Sequence, residues 1–296
     1  MAVVTGAGRG LGRAYARALA AAGAAVVVND IDGDLARRTA EAIEASGGLV
    51  EPHVGPVGTT ETADQLVQTA VGRFGRLDVM VTNAGVIRDR VLWKMTDEEF
   101  DEVVNVHLRG TFTCARSAAI HFRDAGHGGR LILVGSPAGQ YGNFGQGNYA
   151  ACKAGITAMA RTWAMELARS NVTVNCIVPT AATDMTKTIP AFGPHIEAWE
   201  THGTPLPDWL RRDQAIGSVD DVAPLVVFLA SDDSAAITGQ TIGLGGDRLA
   251  LWSYPKEVNT VFKDGGWDVD SLAAEFAERL GADAQPYGVP MPEGTQ

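Results

Sequence analysis

Two hydrophobic rhythms alternate along the chain. Short, nearly unbroken apolar runs occur at "AVVT" (2–5), "AAVVVN" (24–29), "LDVMVT" (77–82), "RLILVG" (130–135) and "VTVNCIV" (172–178). A run apolar on both faces suits a strand of a parallel sheet, because helices cover both sides and neither face meets water. Between the runs lie Ala-rich stretches of helical period at 10–22, 34–46 and 61–73. In "TDEEF" (96–100) Thr96 and Glu99 have capping-box spacing, which predicts a helix over roughly 97–107. Strand–helix alternation predicts an α/β fold with a doubly wound parallel sheet.

Two regions break the rhythm. Residues 184–218 carry Pro190, Pro194, Pro205 and Pro207 together with Trp199 and Trp209. Residues 247–296 follow the last Gly-rich strand segment, "TIGLGG", and within them "DSLAAEFAERLG" reads as a capped helix from Asp270 to a Gly281 stop. The expected organisation is one catalytic domain over 1–246 and a C-terminal extension over 247–296. The first strand begins almost at Met1, so either it is very short or the natural start lies upstream.

Composition narrows the class. With 296 residues, 46% hydrophobic and 20% charged, the chain can bury a sizeable core. Its net charge of −11, with no Lys/Arg cluster, argues against nucleic acid and anionic membrane surfaces as partners. Cys114, Cys152 and Cys176 have no metal-site spacing and read as free thiols of a reducing cytosol. His195 and His202 also lack metal-ligand spacing, so no metal is expected. No apolar run reaches the length of a membrane span, and the N-terminus lacks signal-peptide order.

The chemistry concentrates in a few motifs. "TGAGRGLG" (5–12) follows a strand and opens a helix. Gly6 permits the tight turn, Gly10 lets the backbone approach a pyrophosphate, and Gly12 allows close helix–strand packing, with Arg9 and Leu11 between them. The helix N-terminus then presents N–H groups to phosphate, and the sheet becomes a Rossmann-like dinucleotide-binding one. Asp30 ends the second strand 18 residues past Gly12. A carboxylate there takes both hydroxyls of an unphosphorylated ribose and repels a 2′-phosphate, favouring NAD over NADP, whereas Arg9 favours NADP. "TNAG" brings Asn83, Ala84 and Gly85 to a strand end beside the cofactor. Tyr149 and Lys153 are four residues apart, on one face of a helix, and Ser136 lies 13 residues upstream. A free phenol titrates near 10, and a neighbouring ammonium lowers that value toward a useful base. No G-x-S-x-G elbow occurs, which excludes the usual serine hydrolase. Cys152 reads as packing.

Taken in order, the glycine loop, "TNAG", Ser136, "YAACK" and "VNCIVP" resemble the short-chain dehydrogenase/reductase family over about residues 2–246. The phrases "GRAYA", "VVVND", "VHLRGTF", "YGNFGQGNYAACK" and "DVAPLV" resemble in particular its (3R)-hydroxyacyl-CoA dehydrogenase branch, the module of multifunctional enzyme type 2, also described as a 17β-hydroxysteroid dehydrogenase. The resemblance implies Tyr149 as acid/base, Lys153 as the lysine that lowers its pKa and holds the nicotinamide ribose, and Ser136 as the donor to the substrate oxygen. It also implies a substrate lid over 184–218 and a homodimer or homotetramer. Trp199, Trp209, Phe192 and Met185 either line an apolar pocket there or pack within the lid. Trp252, Tyr254 and Trp267 of the extension are expected against a neighbouring subunit.

Three departures from the family pattern stand out. His107 takes the place of an asparagine that holds a helix bend and a relay water; it either supports that relay or simply packs. Pro179-Thr180 replaces the usual Pro-Gly, and Thr183 is the best match to the residue that binds the carboxamide. Pro56 replaces an adenine-contacting Asp, leaving Val57 to offer backbone groups. The expected function is NAD(H)-dependent interconversion of a secondary alcohol and a ketone, on hydroxyacyl-CoA or steroid-like small molecules. An NADPH-dependent 3-oxoacyl-carrier-protein reductase and a catalytically silent NAD-binding protein remain as alternatives.

Overall fold

The computed structural model describes residues 1–187, 189–285 and 287–288, with the backbone alone for Asp184 and Met185. Its strands are β1 (Ala2–Thr5), β2 (Val26–Asp30), β3 (Val50–Val54), β4 (Val79–Thr82), β5 (Gly129–Val134), β6 (Val172–Pro179), β7 (Thr241–Gly245) and β8 (Arg248–Leu251). They form one sheet in the order β3-β2-β1-β4-β5-β6-β7-β8. The first seven are parallel, and β8 runs antiparallel to β7. Pro52, which lacks an N–H, is tolerated because β3 is an edge strand.

The first helices in chain order are α1 (Gly10–Ala21), α2 (Gly33–Glu44), α3 (Thr60–Phe74), α4 (Asp97–Val103), α5 (Gly110–Ala125) and α6 (Ala138–Tyr141). After them come α7 (Gly147–Leu167), α8 (Asp184–Lys187), α9 (Gly193–His202), α10 (Asp208–Arg212), α11 (Ala223–Ala230) and α12 (Val269–Glu278). Successive strand residues point to opposite faces, so the apolar runs feed two cores. Val4, Val28, Val81 and Ile132 pack with α1, α2 and α11. Val3, Val27, Met80 and Leu131 pack with α3, α5 and α7. The doubly wound expectation therefore holds, and its cause is the double-sided burial of the strands.

Caps set several helix boundaries. The Asp32 carboxylate accepts the N–H groups of Asp34 and Leu35 at the start of α2. The Thr96–Glu99 capping box opens α4. The helix expected over 97–107 stops at Val103, and Val104–Arg109 form a π-helical segment leading directly into α5. Hydrophobic spacing alone does not predict this widening.

The extension starts inside the sheet rather than after it. Gly246 (φ +48°) and Asp247 form the two-residue turn into β8, a Gly-Asp hairpin signal already present in "GGDRLAL". Strand pairing thus continues past residue 246 to Leu251. Trp252 and Tyr254, expected on a neighbouring subunit, find partners in their own chain. Trp252 lies against Tyr141, with ring centroids 5.0 Å apart. The Tyr254 hydroxyl donates to the Gly239 carbonyl at 2.8 Å. The last helix is capped by Asp268, not Asp270, through reciprocal bonds with Ser271.

Residues 184–218 contain α8, α9 and α10. Phe192, Ile196, Leu206, Leu210 and Ile216 form a small core there, with Trp199 and Trp209 packed on it. Both tryptophans therefore pack within this segment. The side chain of Met185 lies outside the described residues. Among the described residues no helix is long and apolar enough to cross a membrane.

Candidate active site

β1, β2 and β3 are laid down toward one edge of the sheet, and β4 then begins on the other side of β1. A crevice opens at such a switch point, at the carboxyl ends of the strands. Here it is a cavity of about 1560 Å³, with walls from Gly6 after β1, Asp30 of β2, Gly55 after β3, Asn83 after β4, Gly135 after β5 and Thr180 after β6. Gly6, Arg9, Gly10, Leu11, Gly12, Asp30, Val57, Asn83, Ala84, Gly85, His107, Ser136, Tyr149, Lys153, Pro179, Thr180 and Thr183 all line it.

At one end lies the glycine loop. Gly6 and Gly10 have φ of +60° and +55°. A Cβ on Gly12 would overlap the Gly6 carbonyl oxygen, and one on Gly10 would meet nothing within 4 Å. So Gly12 is needed for packing, while Gly10 leaves open space over the helix end. Helix α1 has no side-chain cap, and its first N–H groups face the cavity without that partner. The Asp30 carboxylate accepts Gly8 N–H at 2.9 Å with one oxygen and Asp32 N–H at 3.0 Å with the other. Each oxygen keeps acceptor capacity for a hydroxyl. Uncapped N–H groups beside an oriented carboxylate fit the pyrophosphate and ribose of a dinucleotide.

Asn83 acts differently from the simple strand-end turn its sequence suggests. Its amide donates to the carbonyls of Thr5 (3.0 Å) and Gly6 (3.1 Å), and the Thr5 hydroxyl accepts the N–H groups of Asn83 and Ala84. Gly85 makes room for a neighbour, since a Cβ there would overlap Cε1 of His107. After β6, Thr183 and Thr186 exchange bonds between hydroxyl and backbone N–H, and the Thr180 N–H donates to the Leu244 carbonyl at 3.1 Å.

The reactive end is buried. Tyr149 is 7% and Lys153 3% exposed, both on α7. The Lys153 ammonium donates to the Val134 carbonyl at 2.7 Å and lies 5.5 Å from the centre of the Tyr149 ring. Burial lowers the Lys153 pKa to about 8. Burial raises the Tyr149 phenol above its ordinary value, opposed by a hydrogen bond from Ser136. Burial is the largest influence on this phenol, ahead of the Ser136 hydrogen bond. Ser136 itself accepts Ala138 N–H at 3.2 Å, which orients its hydroxyl beside the phenol.

His107 sits in the π-helical segment with its ring edge-on to Tyr149, centroids 5.0 Å apart at 89°. Its Nε2 is 2.7 Å from the Val86 carbonyl oxygen and 3.1 Å from the Val86 nitrogen, so it serves one of them in either tautomer. Its Nδ1 is buried without a partner in the protein. Desolvation, with the Lys153 charge adding to it, lowers the imidazole to about 3, and the ring is neutral at any working pH.

Comparison with known proteins agrees with this geometry. Residues 6–246 match the family model described as Enoyl-(Acyl carrier protein) reductase. A hydroxyacyl-CoA dehydrogenase, ChsB1, from Mycobacterium tuberculosis is 39% identical over 94% of this chain and 87% of its own. A 3-oxoacyl-[acyl-carrier-protein] reductase, FabG, from Thermotoga maritima is 38% identical over 82% of this chain and 95% of its own. The crystal structure of a short chain dehydrogenase from Mycobacterium avium superposes with a TM-score of 0.82 at 36% identity, covering 97% of this chain and 98% of that one. The chain belongs to the short-chain dehydrogenase/reductase family. As such it is an oxidoreductase that interconverts CH–OH and C=O groups with a nicotinamide cofactor.

Some residues of this dehydrogenase's site went unassigned in the sequence. Asn148 is fully buried; its amide donates to the Arg88 carbonyl at 3.1 Å, and its carbonyl accepts Tyr149 N–H at 2.8 Å. Gln146 donates to Asp89 at 2.9 Å. Together they tie the start of α7 to the segment after β4. Their signal was "GQGN" itself, polar residues immediately before Tyr149, but nothing local named the partners. Cys152 packs with Val103, Ala138 and Tyr149 in a small buried cluster.

The Gly85–His107 contact is testable by a double-mutant cycle. Gly85→Ala is expected to destabilise the fold by about 1–3 kcal/mol through overpacking. In a His107→Ala background the same change should cost at least about 0.5 kcal/mol less, as for residues in contact. Urea unfolding measures both; additive effects would show that the two residues do not meet.

Proposed function

We propose that the protein is an NAD(H)-dependent dehydrogenase/reductase acting on 3-hydroxyacyl (or 3-oxoacyl) thioesters, with Tyr149, Lys153 and Ser136 as its catalytic residues. The observation that carries this reading is the meeting of Ser136, Tyr149 and Lys153 in one buried wall of the cavity whose other end holds the uncapped helix and Asp30. The thioester is supported by the ChsB1 relative and by mouse peroxisomal multifunctional enzyme type 2, which is 42% identical over 63% of this chain and 26% of its own length. NAD is supported by Asp30 at the ribose position. The FabG relative and Arg9 beside the glycine loop favour the second reading, an NADPH-dependent 3-oxoacyl-carrier-protein reductase.

The chain's own groups divide the work. A nicotinamide cofactor, held by the glycine loop and Asp30, would supply or take up the hydride. Ser136 and Tyr149 direct their hydroxyls to the substrate oxygen and fix it. In reduction Tyr149 gives its proton to that oxygen, and the Lys153 ammonium stabilises the phenolate left behind. In oxidation Tyr149 takes the proton back. A phenol raised by burial is fully protonated near neutral pH, so the resting site is set as a proton donor. His107, neutral and pinned to Val86, positions the Tyr149 ring without exchanging protons itself.

A homodimer or homotetramer is supported by exposed apolar side chains on α5 (Phe112, Ile120), α7 (Met165) and the extension (Leu272, Phe276). The three cysteines are free and buried, which suits a reducing compartment such as the cytosol.

Tyr149→Phe should cut turnover at least about 100-fold while dinucleotide affinity, followed by cofactor fluorescence, stays within about threefold. Turnover within about tenfold of the parent would remove Tyr149 from the mechanism. The pH profile has a defined sign. Alcohol oxidation needs the phenolate, so its rate should climb through the alkaline range, and Ser136→Ala should move that climb to higher pH by removing a bond that favours the phenolate. Ketone reduction needs charged Lys153 and should decline above about pH 8. Steady-state rates in both directions measure this, and a flat oxidation profile would contradict it. Asp30→Ala should shift the NAD/NADP ratio of kcat/KM toward NADP by about tenfold, the loss of one ribose-directed charged hydrogen bond; an unchanged ratio would assign Asp30 only to holding the Gly8 turn.

A further inference from the structure

The match to the family model ends at residue 246, yet Arg248, Ala250 and Trp252 beyond it line the cavity, and two residues of the extension, Trp252 and Gly288, contact Tyr141. Trp252 and Tyr141 line the cavity with ring centroids 5.0 Å apart and planes tilted by 60°. The Tyr141 carbonyl accepts the N–H of Gly288 at 2.8 Å. Strand β8 sets the position of Trp252, whose N–H donates to the Thr241 carbonyl at 2.9 Å just after Leu251 pairs with Ile242. Gly243 on β7 leaves space beneath the indole, since a Cβ there would stand 3.0 Å from Nε1. Tyr141 ends α6, the short helix that begins two residues after Ser136. The aromatic pair therefore adjoins the reactive end of the cavity, while Asp30 and the glycine loop form the other end.

The space is ample for two ligands. A volume of about 1560 Å³ exceeds the range of roughly 300–1,000 Å³ usual for one small molecule. Tyr141 is 36% exposed and Trp252 half-buried, so both keep ring surface available. Aromatic side chains gain most from a flat apolar partner, which buries a whole ring face at little entropic cost.

We propose that the C-terminal extension forms the specificity wall of this enzyme, with Trp252, held against Tyr141, receiving a flat ring-bearing apolar group next to the reacting carbonyl. The inference rests on Ser136 and Tyr149 marking the reactive end, and it concerns what is bound there. A slender straight-chain substrate would leave both rings wet and gain nothing from them.

Binding tests this without turnover. Titration calorimetry on the full chain saturated with oxidised cofactor compares two ketones, one carrying a fused-ring group beside the carbonyl and one a short straight chain. Trp252→Ala should weaken the ring-bearing ketone about tenfold or more and the straight-chain ketone less than about twofold, with Trp252→Phe retaining affinity within about threefold. Tyr141→Leu should show the same contrast and serves if Trp252→Ala does not fold. Equal weakening of both ketones, or of neither, overturns the proposal. Because no turnover is read, this result is independent of the Tyr149→Phe outcome, which bears on the catalytic reading alone.

Discussion

The joint between the ends of β1 and β4 is the contact on which the site depends. Parallel neighbours diverge at a switch point, and their terminal backbone groups lack a next residue to pair with. Thr5 and Asn83 close that gap from both sides, hydroxyl to N–H and amide to carbonyl. The closure holds the Gly6 carbonyl so near α1 that residue 12 has no room for a side chain. It also sets the path of Gly85, and through Gly85 the place of the His107 ring, which in turn meets Tyr149. One polar cross-link thus connects the glycine loop to the Tyr149 phenol.

Burial governs the electrostatics beyond that joint. Tyr149, Lys153 and His107 are all withdrawn from water, and each is pushed toward its neutral form. For His107 the push is complete in practice. For Lys153 it stops at about 8, which leaves the ammonium charged at neutral pH. For Tyr149 it favours the phenol. Under the function proposed above, this buried cation beside a buried phenol would serve to deliver a proton to a carbonyl oxygen.

The strands, their two-sided burial, the glycine loop and the Tyr149–Lys153 pair were legible in the sequence because each rests on local rules: periodicity, backbone freedom at glycine, and helical spacing. The Thr96–Glu99 cap was legible for the same reason. The hairpin into β8 had a visible Gly-Asp signal, but the resemblance stopped just before it. The π-helical segment was hidden, since its hydrogen bonding is not written in the short 97–107 stretch. The partners of Asn148 and Gln146 were hidden because they lie across the chain.

The sequence by itself determined the fold class, through periodicity and turn residues, and pointed by its resemblance to a family toward the reaction class and toward Ser136, Tyr149 and Lys153 as the groups proposed to react. Only the tertiary structure decided the burial of those groups, the cross-linking role of Asn83 and the residues that line the cavity. Desolvation depends on everything packed around a group, and no local stretch carries that information. Trp252 shows the difference: in the sequence it is a tail aromatic, and in the fold an antiparallel strand brings it to the wall beside Tyr141.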